Sequence, residues 1–507
     1  MLLTALLATL AMPLIAYVAT GYFYLPPLFH PMDDLFGWGL EEVQQKRERL
    51  FYSRWTLPLA ATAATFLLFP WRGWEDENLR IWVTALCFII AWRAATQDID
   101  LSEPKPHLAE RLLILLLVPA VTLYPGFLFL FLFIALVPLR SWEHHTFTTL
   151  RLLMLFLGVW IVGGGSSTVL FLALAATALP YVRAGIGKLQ LSRDWPLANP
   201  LELLPLTAWL WGWRPFSAQT TLKISHLLRP LRFPLQLGNQ FFEIGFALVL
   251  FHPGLALGFL AASLFFHFIV FLLGGILFWQ SFLTNLATLL WILSASDATL
   301  SLTFGWVQGF AGIGWIAFAL SWKKAYHTKS LAWWMTPSIN RIWWVAEGTS
   351  GALYAVTNDY LDPHERLFGQ SLPHNLSPKI ATKHIGETKN RPLAERLNAL
   401  QNDPDALKAA MESHFYNPLK GNRLPLALHF FEQFFTHYNR GVQKRVCPWW
   451  VKAPLGQIFN RAPWTVFQGQ EKIKALHWIY RIDAFTESGP IVLHEEKIRT
   501  QFPELHS

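Results

Sequence analysis

The chain is 507 residues long, 53% hydrophobic and 15% charged, with 25 Trp, 40 Phe and a net charge of +8. A soluble globular chain carries about a quarter charged residues, so much of this surface does not face water. Two cysteines exclude a disulfide scaffold and a cysteine-built zinc site, and the aromatic content excludes disorder.

From the N-terminus, residues 1–32, 55–71, 81–92, 112–139 and 152–182 carry no Asp, Glu, Lys or Arg. Between Ile244 and Trp322 only Asp297 is charged. Each run long enough to cross ~30 Å of hydrocarbon reads as a helix, because only a helix satisfies its own backbone in lipid. Pro125-Gly126 and Gly163-Gly164-Gly165 interrupt two long runs and read as hairpin tips. The spacing predicts an all-α polytopic membrane bundle of roughly nine to eleven transmembrane helices over residues 1–322. Residues 203–213 are too short to span and read as re-entrant. The first 20 residues lack a basic leader and read as an uncleaved first helix. The chain is expected in a plasma or inner membrane.

Residues 323–507 are different in texture. They hold 23 Lys+Arg against 16 Asp+Glu, which is +7 of the total +8. Lys323-Lys324 directly follow a span, so the positive-inside rule places this region in the cytoplasm, with the acidic residues 75–77 on the other side. The positive balance suits anionic lipid headgroups; no basic stripe with interleaved aromatics argues for nucleic acid. Residues 391–400 are amphipathic, Asp403-Pro404 opens a second helix to about residue 414, and 425–438 is a third. Leu476, Trp478, Tyr480 and Ile482 alternate, and a Ser-Gly-Pro turn leads into Ile491-Val492-Leu493, which predicts a hairpin. A mixed α+β extramembrane region follows. The pairs Trp333-Trp334, Trp343-Trp344 and Trp449-Trp450 fit either a bilayer-surface anchor or a Trp-rich core.

Motifs for soluble chemistry are missing: the chain has no G-x-S-x-G elbow, Walker A loop, H-E-x-x-H or G-x-G-x-x-G. His429, Glu432 and His437 fall on one predicted helix, where an ordinary amphipathic face outweighs a metal site with no further ligand in view. Glu143-His144-His145 reads as a solvated loop. No metal is predicted.

Polar groups inside the apolar part remain, and an ionisable side chain at membrane depth is a functional candidate. Glu243 stands alone among apolar neighbours; its structural reading is an acid near a helix start, favoured by the macrodipole. His267 follows Ser263 by one turn, and its structural reading is a ring satisfied by that hydroxyl or a carbonyl. Lys188 closes a long apolar run, where a lysine commonly reaches for the interface. Gly185 and Ala184 lie three and four residues before it, on the helix face beneath the ammonium. Small residues there leave a slot for a flat ring, and burial in it disfavours the charged amine, leaving it a base; helix packing at small residues gives the same pattern.

The stretch from Tyr181 through Ala184-Gly185-Ile186-Gly187-Lys188-Leu189 to Asp194-Trp195 resembles the lysine motif of the vitamin-K-dependent γ-carboxylases, within the horizontally transferred transmembrane domain family. Phe265-Phe266-His267 resembles that family's aromatic-histidine motif, and Glu243 sits where the family tends to place an acid. The resemblance covers about residues 50–320. It implies a lysine that takes a proton from reduced vitamin K or another quinol. Oxygen then makes an alkoxide that removes a glutamyl γ-proton, the carbanion captures carbon dioxide, and the quinone leaves as its epoxide. Carried over, Lys188 is the base, His267 bonds a developing anion, and Ser263 orients its ring. Ala184, Gly185, Glu243 and Ser263 border the quinone. The chain departs from the animal enzymes at Gly187, where they have a second lysine, and at Val270, where they have asparagine; its tail also lacks their β-rich character. Three readings follow: a carboxylase-like membrane enzyme, a non-carboxylating lipid- or quinone-binding partner protein of the same fold, and, ranked last, a transporter.

Overall fold

The computed structural model describes residues 1–20, 55–69, 73–96, 107–139, 146–323, 325–326, 328, 330–356, 381–382, 386–415, 424–441, 450–454 and 463–502. The N-terminal part is helical: α1 (Leu2–Thr20), α2 (Thr56–Leu68), α3 (Glu77–Thr96), α4 (Leu108–Leu123), α5 (Leu128–Leu136), α6 (Thr146–Val162) and α7 (Ser166–Leu191). After a short α8 (Trp195–Ala198) come α9 (Leu203–Trp211), α10 (Ala218–Gly245), α11 (Pro253–Gly274), α12 (Trp279–Ser294), α13 (Asp297–Thr303) and α14 (Trp306–Ser321). Pro125–Phe127 forms a single tight turn between α4 and α5, and the three glycines from Gly163 link α6 to α7. The first break is buried, and the second lies at an exposed end of the bundle.

Four helices, α1, α3, α7 and α11, are long and apolar enough to cross a membrane, and α12 with α13, bent by 118°, is a broken span or a re-entrant loop. Among the described residues that is fewer than the nine to eleven read from charge-free runs. The physical reason is that absence of charge reports burial, whether in lipid or in protein. In α6, 17 residues long, 14 are buried inside the bundle. In α11 only 5 of 22 are buried, and Phe265 and Phe268 face outward. Apolar side chains turned outward on a 22-residue helix are what hydrocarbon surroundings require.

The C-terminal part is built on strands. β1 (Trp334–Met335) pairs with β4 (Glu387–Thr388). A five-stranded sheet, in the order β5-β3-β2-β6-β7, combines β2 (Ser338–Gly348), β3 (Leu353–Ala355), β5 (Thr465–Val466), β6 (Ile473–Thr486) and β7 (Gly489–Gln501). The antiparallel β6–β7 hairpin turns between Thr486 and Gly489, and Trp344 stands opposite Trp478 across β2–β6. Helices α15 (Arg391–Ala399), α16 (Pro404–Glu412) and α17 (Leu424–Asn439) supply the other half of this core. Asn390 and Asp403 cap α15 and α16 by accepting from the backbone N–H groups of Leu393 and Ala406, each followed by helix-starting residues that include proline.

Period-2 geometry divides the sheet's side chains. Trp344, Trp478 and Tyr480 pack with Leu397, Leu407, Phe431 and Phe435, each large side chain contributing ~1.5–3 kcal/mol by burial. Ile339 and Phe485, nearer one end of the sheet, pack on Leu203, Leu206, Leu210 and Trp211. Helix α9 therefore serves as the bundle's contact with the sheet, and the apolar face it turns there is covered by protein. Trp334, Trp343 and Trp344 are core residues, whereas Trp450 is exposed and Trp449 lies outside the described residues.

Candidate functional site

Tyr181, Ala184, Gly185 and Lys188 fall at i, i+3, i+4 and i+7 of α7, so they share one buried face. Helix α10 crosses α7 there. A Cβ on Gly185 would stand 2.7 Å from Ile244 Cγ1 and 3.2 Å from Glu243 Cβ, so the close approach needs glycine. That approach sets Lys188 Nζ 2.5 Å from Glu243 Oε1, with the two side chains 7% and 5% exposed. Asn239 Nδ2 donates to the same oxygen at 3.4 Å, and the Trp195 ring centroid lies 5.0 Å from the ammonium. Glu243 Oε2 and Gln240 Oε1 are buried without a hydrogen-bond partner among the described residues.

Two expectations are corrected by this geometry. The small residues beneath Lys188 do not leave an open slot at Gly185, because Ile244 and Glu243 occupy that face. Glu243 is not near a helix start: it lies in the last turn of α10, where the macrodipole opposes a carboxylate. The change from polar to apolar sequence at residue 244 suggested a beginning, but the helix break follows, between Gly245 and Pro253. The lysine ammonium therefore compensates the acid. Removing either partner from such a buried pair costs about 3–5 kcal/mol, because a lone buried charge remains.

Two turns back along the same face is a second polar cluster. Tyr181 OH lies 3.1 Å from His267 Nε2, and Asn285 Nδ2 donates to Tyr181 OH at 2.9 Å and to Ser263 Oγ at 2.8 Å. Ser263 Oγ donates to the Leu260 carbonyl at 2.6 Å. Tyr181 OH thus links the Asn285 amide to the His267 ring at Nε2. Nδ1 is buried and has no partner. His267 is thus satisfied through Tyr181, and not directly by Ser263; the two α11 residues communicate through Asn285. Rings enclose the cluster: Tyr181 stacks on Phe246 at 4.3 Å between centroids and His267 on Phe278 at 5.2 Å, with Phe242 edge-on to Tyr181. Sequence reasoning counted charges and so passed over Asn285, although a primary amide within an apolar run of α12 was a readable signal.

The C-terminal part closes the Lys188 end. A Cβ on Gly187 would stand 2.6 Å from the Ser330 carbonyl oxygen, so this segment lies directly on α7. Trp195 Nε1 donates to the Trp333 carbonyl at 2.9 Å, and Asn199 Oδ1 accepts from Met335 N–H at 2.9 Å. Arg391 grips Asp194 with two nitrogens, at 2.9 and 2.8 Å, and covers the Trp334 ring. The Arg391 guanidinium, aided by the Ser192 hydroxyl, holds the Asp194 carboxyl below its usual range.

The structure therefore gathers Lys188, Ala184, Gly185 and Glu243 at one place and Ser263 and His267 at another, joined by the buried face of α7. His429 and Glu432 are 3.5 Å apart on an exposed face, Glu143-His144-His145 lie outside the described residues, and no group of three His, Cys, Asp or Glu converges among the described residues. The chain matches no family model, no curated protein and no solved structure.

Proposed function

We propose that the chain is a membrane enzyme of the vitamin-K-dependent γ-carboxylase type, with Lys188 and His267 at a site for a lipid-soluble quinol. The observation that carries this reading is a lysine–glutamate pair buried in an apolar bundle, on one helix face with a tyrosine–histidine cluster. The residues suit such a ring. His267 Nδ1 offers an unused ring nitrogen, Glu243 Oε2 an unused acceptor, and Phe242, Phe246 and Phe278 an apolar wall. When bound, the quinol supplies through its oxidation by oxygen the base strength that carboxylation of an acceptor requires. Lys188 holds a proton at Nζ, and Glu243 keeps that ammonium in an apolar setting. His267 Nδ1–H donates to an oxygen that gains negative charge, where a preoriented donor is worth most. The aromatic shell excludes water, and Tyr181 and Asn285 fix the histidine ring.

This reading extends the bundle to nine to eleven spans by counting the shorter apolar helices as crossing too, and it places residues 323–507 in the cytoplasm. A second reading, a quinone- or lipid-binding protein of the same fold without carboxylation, is favoured by one observation: Ile244 fills the face beside Gly185. Purified protein incubated with reduced vitamin K under oxygen separates the two. Epoxide from the wild type and none from Lys188→Ala, with both folded, supports the enzyme. No epoxide from either, with several quinols tried, rejects it in favour of the second reading.

A further inference from the structure

An ammonium has three donors and no lone pair, so Lys188 cannot accept a proton while it is charged. The only basic lone pairs in the Lys188–Glu243 ion pair are on the carboxylate. Oε1 is taken by Nζ at 2.5 Å and by Asn239 at 3.4 Å. Oε2 is buried, with Glu243 as a whole 4% exposed, and has no partner. The side chain is also held in the last turn of α10, where proton uptake relieves the conflict of a carboxylate with the negative end of the helix dipole.

We propose that Glu243 is a further catalytic residue, the group that receives the substrate proton at Oε2, while Lys188 stays an ammonium and holds the anion that forms. The balance is simple. The O–H bond of a phenolic or enolic ligand breaks, its electron pair stays on the ligand oxygen, and the proton forms an Oε2–H bond. The pair passes from net charge zero to +1 and the ligand from zero to −1, so the buried site stays neutral with its ligand bound. A lysine alone would have to enter the cycle as an unprotonated amine beside a carboxylate at 2.5 Å, the arrangement this contact opposes.

The titratable groups around Glu243 are few. Lys188 and Tyr181 face it from α7, and His267 from α11 is bonded to Tyr181. Trp195 of α8, beside Lys188, is neutral. On α10 itself Asn239 and Gln240 are neutral, and Arg232, three turns away, is paired with Glu202 at 3.3 Å. Asp194 is engaged by Arg391. Of these, His267 is the one other group that can take up a ligand proton, and Glu243→Gln tells the two apart.

The inference depends on the proposed function only for the identity of the ligand, and the test separates the two. Full-length protein in lipid nanodiscs is mixed with menadiol under nitrogen at constant pH, and infrared difference spectra are recorded. The expected result is a protonated-carboxyl C=O band at the high-frequency position of an apolar setting, shifted in D2O and absent from Glu243→Gln. The amide of that variant keeps an acceptor for Lys188, and Glu243→Asp, which moves the band instead of removing it, replaces it should the glutamine protein not fold. Menadiol oxidation under oxygen should fall at least tenfold in kcat in Glu243→Gln, with KM little changed, and recover partly in Glu243→Asp. Bound menadiol without the band, or the same band in Glu243→Gln, overturns the proposal. Turnover lost in Lys188→Ala but intact in Glu243→Gln also overturns it and leaves the quinol reading standing. If menadiol does not bind, acidification replaces it: a buried-carboxyl band confined to proteins with Glu243 upholds the proton site while the quinol reading falls, and its absence sinks the proposal.

Discussion

Asp483 and Arg341 give the sharpest stability test. Arg341 Nε lies 2.7 Å from Asp483 Oδ2, with the side chains 5% and 2% exposed, and Arg341 Nη1 donates to the Leu210 carbonyl at 2.7 Å. The guanidinium also lies 4.5 Å from the Trp343 ring centroid. One side chain thus joins the sheet to the last turn of α9, whose carbonyls need a donor. Asp483→Ala leaves that cation buried with one carbonyl and a ring, and the expected loss is about 3–5 kcal/mol. For a unit of 150–250 residues each kcal/mol lowers Tm by about 2–4 °C, so the C-terminal transition should fall by about 6–20 °C. Replacing both residues by leucine removes the buried pair together and leaves Leu210 O without its donor and the partly exposed Arg481 without the carboxylate its Nε and Nη2 reach, an expected loss of about 1–3 kcal/mol. Calorimetry in detergent, with Trp fluorescence as the second probe, measures all three proteins. An Asp483→Ala protein that melts within about 2 °C of wild type would refute the account, because the arginine would then have found water or another partner.

Two further outcomes follow from the packing and charge. Gly187→Ala drives a Cβ into the Ser330 backbone, so it should cost about 1–3 kcal/mol and speed proteolytic release of the C-terminal part, as read by melting and limited trypsin digestion. Arg499, with His477 and Lys474, brings the Glu347 carboxyl down to about 2 from its ordinary 4.5. A folded-state value below the unfolded one gives stability that is full above about 4.5 and is lost as pH falls toward 2, so Glu347→Gln should flatten that limb of a urea-versus-pH series.

Local chemistry was readable where one residue type does one job. The amphipathic pattern of residues 391–400 announced α15, Asp403 announced α16, and the alternation of Leu476, Trp478, Tyr480 and Ile482 announced β6. The strand β2 gave no such pattern, because its residues are buried on both faces and polarity does not alternate along Ser338–Gly348. The shorter strands carry too few residues to show a period. In the site, Lys188 stood out by its apolar context, but its partner lies 55 residues away on a helix that reads as polar, and no periodicity connects the two. Tyr181 and Asn285 are uncharged and were therefore outside a search built on charge. Helix number is coarser for a related reason: α6 is as free of acids as a lipid-facing span and is wrapped in protein, so charge alone does not tell an enclosed helix from a lipid-facing one.

The outward-facing α11 has a mechanical consequence. Its 22 residues rise about 33 Å, close to the hydrocarbon thickness of a bilayer, whereas the enclosed α6 has no lipid to match. A thinner or thicker membrane acts on a lipid-facing helix first, by tilting it. Ser263 and His267 ride on that helix while Tyr181 and Asn285 sit on its neighbours, so the 3.1 Å and 2.8 Å contacts between them join an outward-facing helix to more enclosed ones, and any tilt of α11 is read directly at the histidine.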